Sequence, residues 1–478
     1  MSSRIHPGSP SSCPVIVVGF GLAGLSASCE LVVRGVPVHI LERQQKPGGN
    51  SIKASSGING VPTRFQAQGS DTVSAFYNDT VDSAGVNLMK METETRKKLI
   101  SSLTESSSEA INWLVDEQGI DLTRVAQLGG HSHARTHRGA GLTPPGASIV
   151  LKLLKQLQAS PLVTLETDTT VTKILKTNAV VVGVEVSHAG ETRKIEGPVI
   201  FTAGGFAGDS SGLLARYRPD LAGLPSTNEA LPGSVDLLVN VSAQLLDMEQ
   251  VQVHPTGFVD PKEPAKPTKF LAAEALRGEG GILLRHGKRF INELATRKEI
   301  SDEIMALPAE DLQPTKQWDI LLVLDEAAYQ ATKTHVDFYM WKGLMRKTSI
   351  FELENSDVAL ETIKKYGAVV QGKGVSDPLG RSTFGNWNLE NPTFESAVYV
   401  GTVTPVVHYT MGGVIFSPKA EVLDSGASPI KGLWAAGETT SGIHGENRLG
   451  GSSLLECVVF GRIAGQNAAT FMGAHDGA

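Results

Sequence analysis

At 478 residues the chain exceeds what one ordinary core holds, so two or three domains are expected and burial is not limiting. A formal charge of −7 supplies no basic field, which argues against nucleic acid as the main partner and requires any anionic substrate to be attracted locally. The cysteines Cys13, Cys29 and Cys457 make no disulfide framework and lack the C-x-x-C spacing of zinc, iron–sulfur or c-type haem sites, so a reducing, cytoplasmic setting is expected.

The N-terminal MSSRIHPGSPSS is polar and carries no apolar segment of signal-peptide type. Val15 to Val18 then read as a strand, followed by Gly19, Gly21 and Gly24 at G-x-G-x-x-G spacing. A helix runs on to Arg34 and is closed by Gly35; a second strand, Val38 to Leu41, ends on Glu42. This is the dinucleotide-binding arrangement. Gly19 allows the tight turn, Gly21 lets the backbone approach a pyrophosphate, Gly24 lets helix and strand pack closely, and Glu42 can bond a ribose hydroxyl. The one stretch resembling a membrane span, Val15 to Val33, is broken by these glycines and carries Ser26, Ser28 and Glu30, so no membrane partner is expected.

RQQKPGGNSIKASSGING follows as a loop placed to carry backbone donors to the cofactor. Asp71 to Met91 and Thr93 to Gln118 read as two helices, and Ala147 to Leu157 as an amphipathic one. Strands are expected at Val163 to Glu166, Val171 to Leu175 and Val180 to Val186, the last pair turning at Asn178. PVIFTAGG, Pro198 to Gly205, reads as a strand returning to the first sheet, and Asp236 to Leu246 as a helix. From about Val251 to Val407 the texture changes, and the glycine-rich texture returns in GLWAAGETTSGIHGENRLGG. The fold class is therefore α/β, with residues 1–250 and 408–478 forming one Rossmann-like domain and 251–407 an inserted α+β domain.

Within the insert, Glu274 and Arg277 are three apart on an expected helix and can form an ion pair, while Arg289 and Arg297 follow in RFINELATR. Arginines beside acids and His254 suggest a site for a small carboxylate. His408 ends the apolar run VTPVVH, where a satisfied core histidine is the common alternative. Arg448, in GENRLGG, offers a planar fork for a carboxylate beside the cofactor segment. His131, His133 and His137 hint at metal, but no acid or cysteine completes a ligand set, and none is expected.

Together, VVGFGLAGLSA with ILER, GGNSIKASSGING, HPTGF, AAEALRGEGG, RFINELATR, VTPVVHYTMGG and GIHGENRLGGSSL resemble the soluble FAD-dependent fumarate reductases, closest to the fungal type, from Pro14 to about Gly465. They belong to the wider succinate dehydrogenase and fumarate reductase flavoprotein superfamily. The resemblance implies an FAD domain of glutathione-reductase type under a mobile capping domain, hydride transfer from reduced FAD to fumarate, protonation by an arginine, and succinate as product. It implies that His254, His408 and Arg448 hold the dicarboxylate with Gly57, Ile58, Leu271 and Gly451 around it. Arg297 delivers the proton, resupplied through Glu274 and Arg277. A histidine would be the ordinary acid, and the residues alone favour His254; the resemblance moves the role to Arg297. For the cofactor it implies Ala23, Arg43, Asn50, Ser51, Ser55, Gly57 and Asn59 early in the chain. Ala203, Gly204 and Asp236 follow in the middle, and Tyr409, Gly437, Glu438, Ser453 and Leu454 late.

Two positions depart from the family pattern. Ile52 stands near the place where membrane-complex relatives carry the histidine that binds FAD covalently, so FAD is expected to be noncovalent. Ala273 replaces a hydroxyl-bearing residue of soluble bacterial relatives, removing one substrate hydrogen bond. With one fingerprint, taken by FAD, and no haem or iron–sulfur motif, reduced free flavin (FADH2 or FMNH2) or a partner reductase is the expected donor rather than NADH. Rival readings are a reductase of another unsaturated carboxylate, a ketosteroid dehydrogenase, a flavoprotein subunit of a membrane complex, or an idle FAD-binding module.

Overall fold

Alternation along four residues organises the first half of the molecule. In the strand Val15–Val18, Val15 and Val17 face one apolar core while Ile16 and Val18 face another. A strand serving two cores must be central, and it is. In the computed structural model, which describes residues 13–85, 93–141, 143–312, 315–373 and 376–474, it lies third from one edge of a six-stranded sheet. The order is Glu421–Leu423, Pro429–Ala435, Val199–Phe201, Val15–Val18, Val38–Leu41, Val163–Glu166. All neighbours are parallel except the first pair. Helices Leu22–Val33, Pro145–Gln158 and Ser452–Phe471 cover one face, and the antiparallel sheet Thr169–Thr177, Val180–His188 and Glu191–Glu196 covers the other. Gly24 permits the close helix packing, since a Cβ there would stand 2.3 Å from the Gly19 carbonyl oxygen.

The returning strand expected at Pro198 to Gly205 is Val199–Phe201, and it pairs on its other side with Pro429–Ala435 from the end of the chain. A second sheet, largely antiparallel, holds Val251–Phe258 against the long strand Ala397–Thr410, with Ile320–Leu324, Ile282–Arg285 and shorter partners beyond. Its two faces bury separate cores, around Phe258 and Tyr339 on one side and Tyr366 and Trp387 on the other.

Several helices differ from expectation. Asp71 to Met91 is helical over Val73–Ala84, and the remainder expected at 86–91 lies outside the described residues. Thr93 to Gln118 divides into Thr93–Glu105, Ser107–Asn112 and a π turn at Trp113–Glu117. Just past the break, the Ser107 hydroxyl donates to the Val61 carbonyl at 3.1 Å and accepts from the Val61 amide at 3.1 Å. Asp236 to Leu246 is a helix only over Asp236–Val239. Ser242 (φ 79°) takes a left-handed conformation, and Leu245–Leu246 becomes a strand. No helix of the described residues is long and apolar enough to cross a membrane.

Candidate active site

A cavity of about 950 Å3 lies at the carboxyl ends of Val15–Val18, Val38–Leu41 and Val199–Phe201 and reaches Phe258, Leu271 and His408 of the second sheet. Crevices outside the carboxyl ends of parallel strands are where ligands of such sheets bind. Its wall includes Gly19, Gly21, Ala23, Glu42, Arg43, Asn50, Ser51, Ser55 and Gly57, then Ala203 and Gly204. Tyr409, Gly437, Glu438, Ser453 and Leu454 complete it from the last part of the chain. Leu271, Arg297, His408, Arg448 and Gly451 share the same wall.

The arrangement fits a flavin dinucleotide. A Cβ on Gly21 would meet only Ser51 Oγ, at 3.6 Å, so the backbone faces open space at the start of Leu22–Val33. Glu42 is locked on the rim, accepting from the amides of Phe20 and Gln44, each at 2.9 Å. Two expected cofactor groups support the wall rather than form it. Gly24 packs the helix, and Asn59 donates to the Gly450 carbonyl at 2.8 Å and to Ser452 Oγ at 3.0 Å. Asp236 lies off the wall, its side chain 58% exposed and 3.9 Å from Arg216, because its helix ends after one turn. Ile58 is wholly buried in the core beneath.

The loop carrying Arg448 is tied on several sides. Asn447 donates to Ser83 Oγ at 2.6 Å and accepts from Gln252 at 2.6 Å, while His131 Nε2 donates to the Gly450 carbonyl at 3.0 Å. Gly451 closes the loop with φ of 80°, and a Cβ there would strike Asn59 Oδ1 at 2.3 Å. Arg448 itself, 3% exposed, gives Nη1 to the Leu449 carbonyl at 3.2 Å and leaves Nε without a partner among the described residues.

Arg297 opens the helix Arg297–Met305, whose first turn is fixed by the capping box of Thr296 and Glu299. Its Nε donates to Glu274 Oε2 at 2.8 Å, Nη2 makes a shorter bond to the same oxygen, and Nη1 reaches Gln252 Oε1 at 3.2 Å. Glu274 therefore pairs with Arg297, and the expected ion pair with Arg277 is not formed. Their segment is a single helical turn, Ala275–Gly278, in which Arg277 Nη1 turns to the Glu293 carbonyl at 2.6 Å. Arg277 nonetheless lies close enough to act on Glu274. Burial pushes the Glu274 carboxyl up, but Arg297 and Arg277 together outweigh it and hold it below its ordinary value. Burial brings Arg277 down to about 10, and its Nε and Nη2 have no partner. Arg289 belongs elsewhere: it is clasped by Glu293 at 2.8 Å and Asp377 at 2.6 Å.

His254 stands behind the wall, its ring 5.3 Å from that of His408. Its Nδ1 accepts from the Thr256 amide at 3.2 Å, and its buried Nε2 has no partner among the described residues. Burial, and then the neighbouring arginines, push both histidines well below their usual range, so each is a neutral hydrogen-bonding group. The positive charge on the cavity wall beside these histidines comes from Arg297 and Arg448. Among the described residues no group of histidines, cysteines and acids could hold a metal ion.

Sequence reasoning missed Gln252, His444 and Glu456. Glu456 had a signal, as the lone acid in the apolar run Leu454 to Phe460, buried on the helix Ser452–Phe471.

Residues 14–454 match the FAD binding domain family. The chain is 42% identical to Fumarate reductase 1 of Saccharomyces cerevisiae, over 96% of this chain and 99% of that one. It is 38% identical to the fumarate reductase of Schizosaccharomyces pombe, over 98% and 92%. Its fold matches the open conformation of a flavocytochrome c3 fumarate reductase with a TM-score of 0.74 at 30% identity, covering 97% of this chain and 79% of that one. An FAD cradle joined to a buried pair of arginines, on a chain this similar to those proteins over its length, places it in the family of FAD-dependent oxidoreductases to which the fumarate reductases belong.

Proposed function

We propose that the protein reduces fumarate to succinate. The observation that carries this reading is that Arg297, His408 and Arg448 share one cavity wall with the fingerprint glycines Gly19 and Gly21. Bound FAD supplies the hydride. The residues supply the rest. Arg448 and His408 take the carboxylates, with His254 completing the group behind, and the charge of Arg448 stabilises negative charge developing on the substrate. Arg297 gives its proton to the neighbouring carbon. An arginine, with a pKa above about 12, is a poor acid toward water. The acceptor here is a carbanion-like centre, and the neutral His254 is in no state to compete. Glu274, an ionised carboxylate held by two guanidinium groups, accepts a proton from Arg277 and passes it to the deprotonated Arg297, and Arg277 is then recharged from water.

The same reading takes the first sheet as an FAD domain of glutathione-reductase type, residues 1–250 and 408–478, with 251–407 as a cap that closes over the flavin. FAD is held noncovalently, since Ile52 occupies the loop beside Ser51. Reduced free flavin or a reductase supplies electrons, and the free thiols fit a reducing, cytoplasmic setting. The test is anaerobic photoreduction of the purified holoprotein followed by fumarate. Reoxidation of the flavin with one succinate formed per flavin is expected. Failure to reoxidise with fumarate, while a steroid or another unsaturated acid succeeds, overturns the reading.

A further inference from the structure

Buried arginines in this protein are normally neutralised by carboxylates in direct contact. Arg96 pairs with Asp247, Arg135 with Asp71 and Asp79, Arg297 with Glu274, and Arg381 with Glu293. Arg277, bonded to the Glu293 carbonyl, and Arg448 are the exceptions, and of the two only Arg448 lies on the cavity wall. Among the described residues no carboxylate lies within ion-pair distance of it; instead its guanidinium carbon stands 4.2 Å from the centroid of the Tyr409 ring. A cation over an aromatic face is attracted through the ring quadrupole, an interaction that occupies no N–H group.

The platform is itself held. The Tyr409 hydroxyl donates to Glu456 Oε1, and the other oxygen, Oε2, accepts from His444 Nε2 at 2.9 Å. Tyr409, His444 and Glu456 are all buried, in a region where Glu456 is the charge on an otherwise apolar helix face. A buried carboxylate there is costly to retain unless its bonds fix something. His444 is fixed in turn, since Arg96 Nη1 donates to its carbonyl at 3.1 Å.

We propose that Glu456 and His444 are positioning residues for the carboxylate anchor. By gripping the Tyr409 phenol they lock the ring against which Arg448 lies flat, so that the guanidinium is oriented by its face and its unused N–H groups stay available to the substrate. A direct Glu–Arg448 pair would neutralise the charge but fill the fork. Placing the acid one tyrosine away keeps the negative charge near and the donors open. This inference rests on Arg448 being the anchor.

The experiment compares holoenzymes of the wild type, Tyr409→Phe, Glu456→Gln, Glu456→Ala and Arg448→Lys. Succinate binding to the oxidised protein is measured by calorimetry, fumarate KM and kcat with chemically reduced FMN, and flavin content by absorbance. Tyr409→Phe and Glu456→Ala are expected to weaken succinate binding and raise KM by roughly tenfold, the order of one lost orienting interaction. For Glu456→Ala, at a position off the cavity wall, kcat at saturation is expected to stay within about threefold, with flavin content unchanged. Glu456→Gln, whose amide oxygen still accepts from the phenol, is expected to recover most of the affinity. Unchanged affinity in Tyr409→Phe and Glu456→Ala overturns the proposal, as does a fall in flavin content or kcat of Glu456→Ala matching its fall in affinity. If Glu456→Ala does not fold, Tyr409→Phe alone decides. Arg448→Lys tests the underlying reading separately: succinate binding of wild-type strength there would show that the anchor itself was misassigned.

Discussion

Arg297 and Arg448 are both buried, and they differ in what their donors touch. Arg297 spends Nε and Nη2 on Glu274, whereas among the described residues Arg448 is bonded only to the Leu449 carbonyl. The first arrangement suits a group that passes a proton, the second one that binds an anion. Arg297→Ala is therefore expected to keep FAD but lose turnover by more than the roughly 10²–10⁴-fold of an ordinary general acid. Steady-state rates on protein with full flavin content check this, and retention of most activity would remove Arg297 from the proton step. Both arginines could be picked out in the sequence, since an arginine beside glycine pairs or acids is conspicuous there. The partner of Arg297 could not. Glu274 and Arg277 sit at a spacing that favours their own pairing on a helix, and only the shortness of that helix turns each elsewhere. Contacts such as Gln252 to Arg297 depend on strand register, which local pattern does not carry.

Among the elements, the fingerprint was the most legible, because turn sterics and helix–strand packing are decided within twenty-odd residues. Gly24→Val is expected to push Leu22–Val33 off its strand, since the first added carbon already meets the Gly19 carbonyl oxygen at 2.3 Å. Loss of bound FAD, read as the flavin-to-protein absorbance ratio, is the measurement. Full flavin content would show that the close packing is dispensable. Helix ends were less legible. Ser107 and Ser108 bond distant backbone through their side chains and Ser242 takes a left-handed conformation, while the apolar pattern runs on past them. The second sheet was read only as mixed texture, because its strands pair across long intervals, as Val251–Phe258 does with Ala397–Thr410.

For the molecule as a whole, burial of neutral histidines ties stability to pH. Burial brings His131 and His137 down to about 4, and His254 and His408 also lie well below the usual range. Between about pH 6.5 and 4 the unfolded chain therefore binds more protons than the folded one, and stability falls as pH falls. Glu438, raised by burial to about 7, acts in the opposite sense, as do Asp247, Glu310 and Asp325. His335, lowered by burial, adds to the other four histidines, two of which lie well below the usual range. A melting temperature that declines steadily from pH 6.5 to 4.5, less steeply in His131→Asn, is expected from scanning calorimetry. A flat profile would mean these rings are protonated in the fold. Acid precipitation of the whole protein is further expected to release all the yellow colour to the supernatant, whereas colour left in the pellet would reveal a covalent flavin.

The unpaired guanidinium of Arg448 has one more consequence. A positive charge sheltered from water with donors to spare is a trap for small inorganic ions. Chloride, sulfate and nitrate at matched ionic strength are then expected to inhibit to different degrees, ranked by how well each fills the fork rather than by screening. The choice of buffer salt, and in the cell the resident anion, would set the apparent affinity for the diacid.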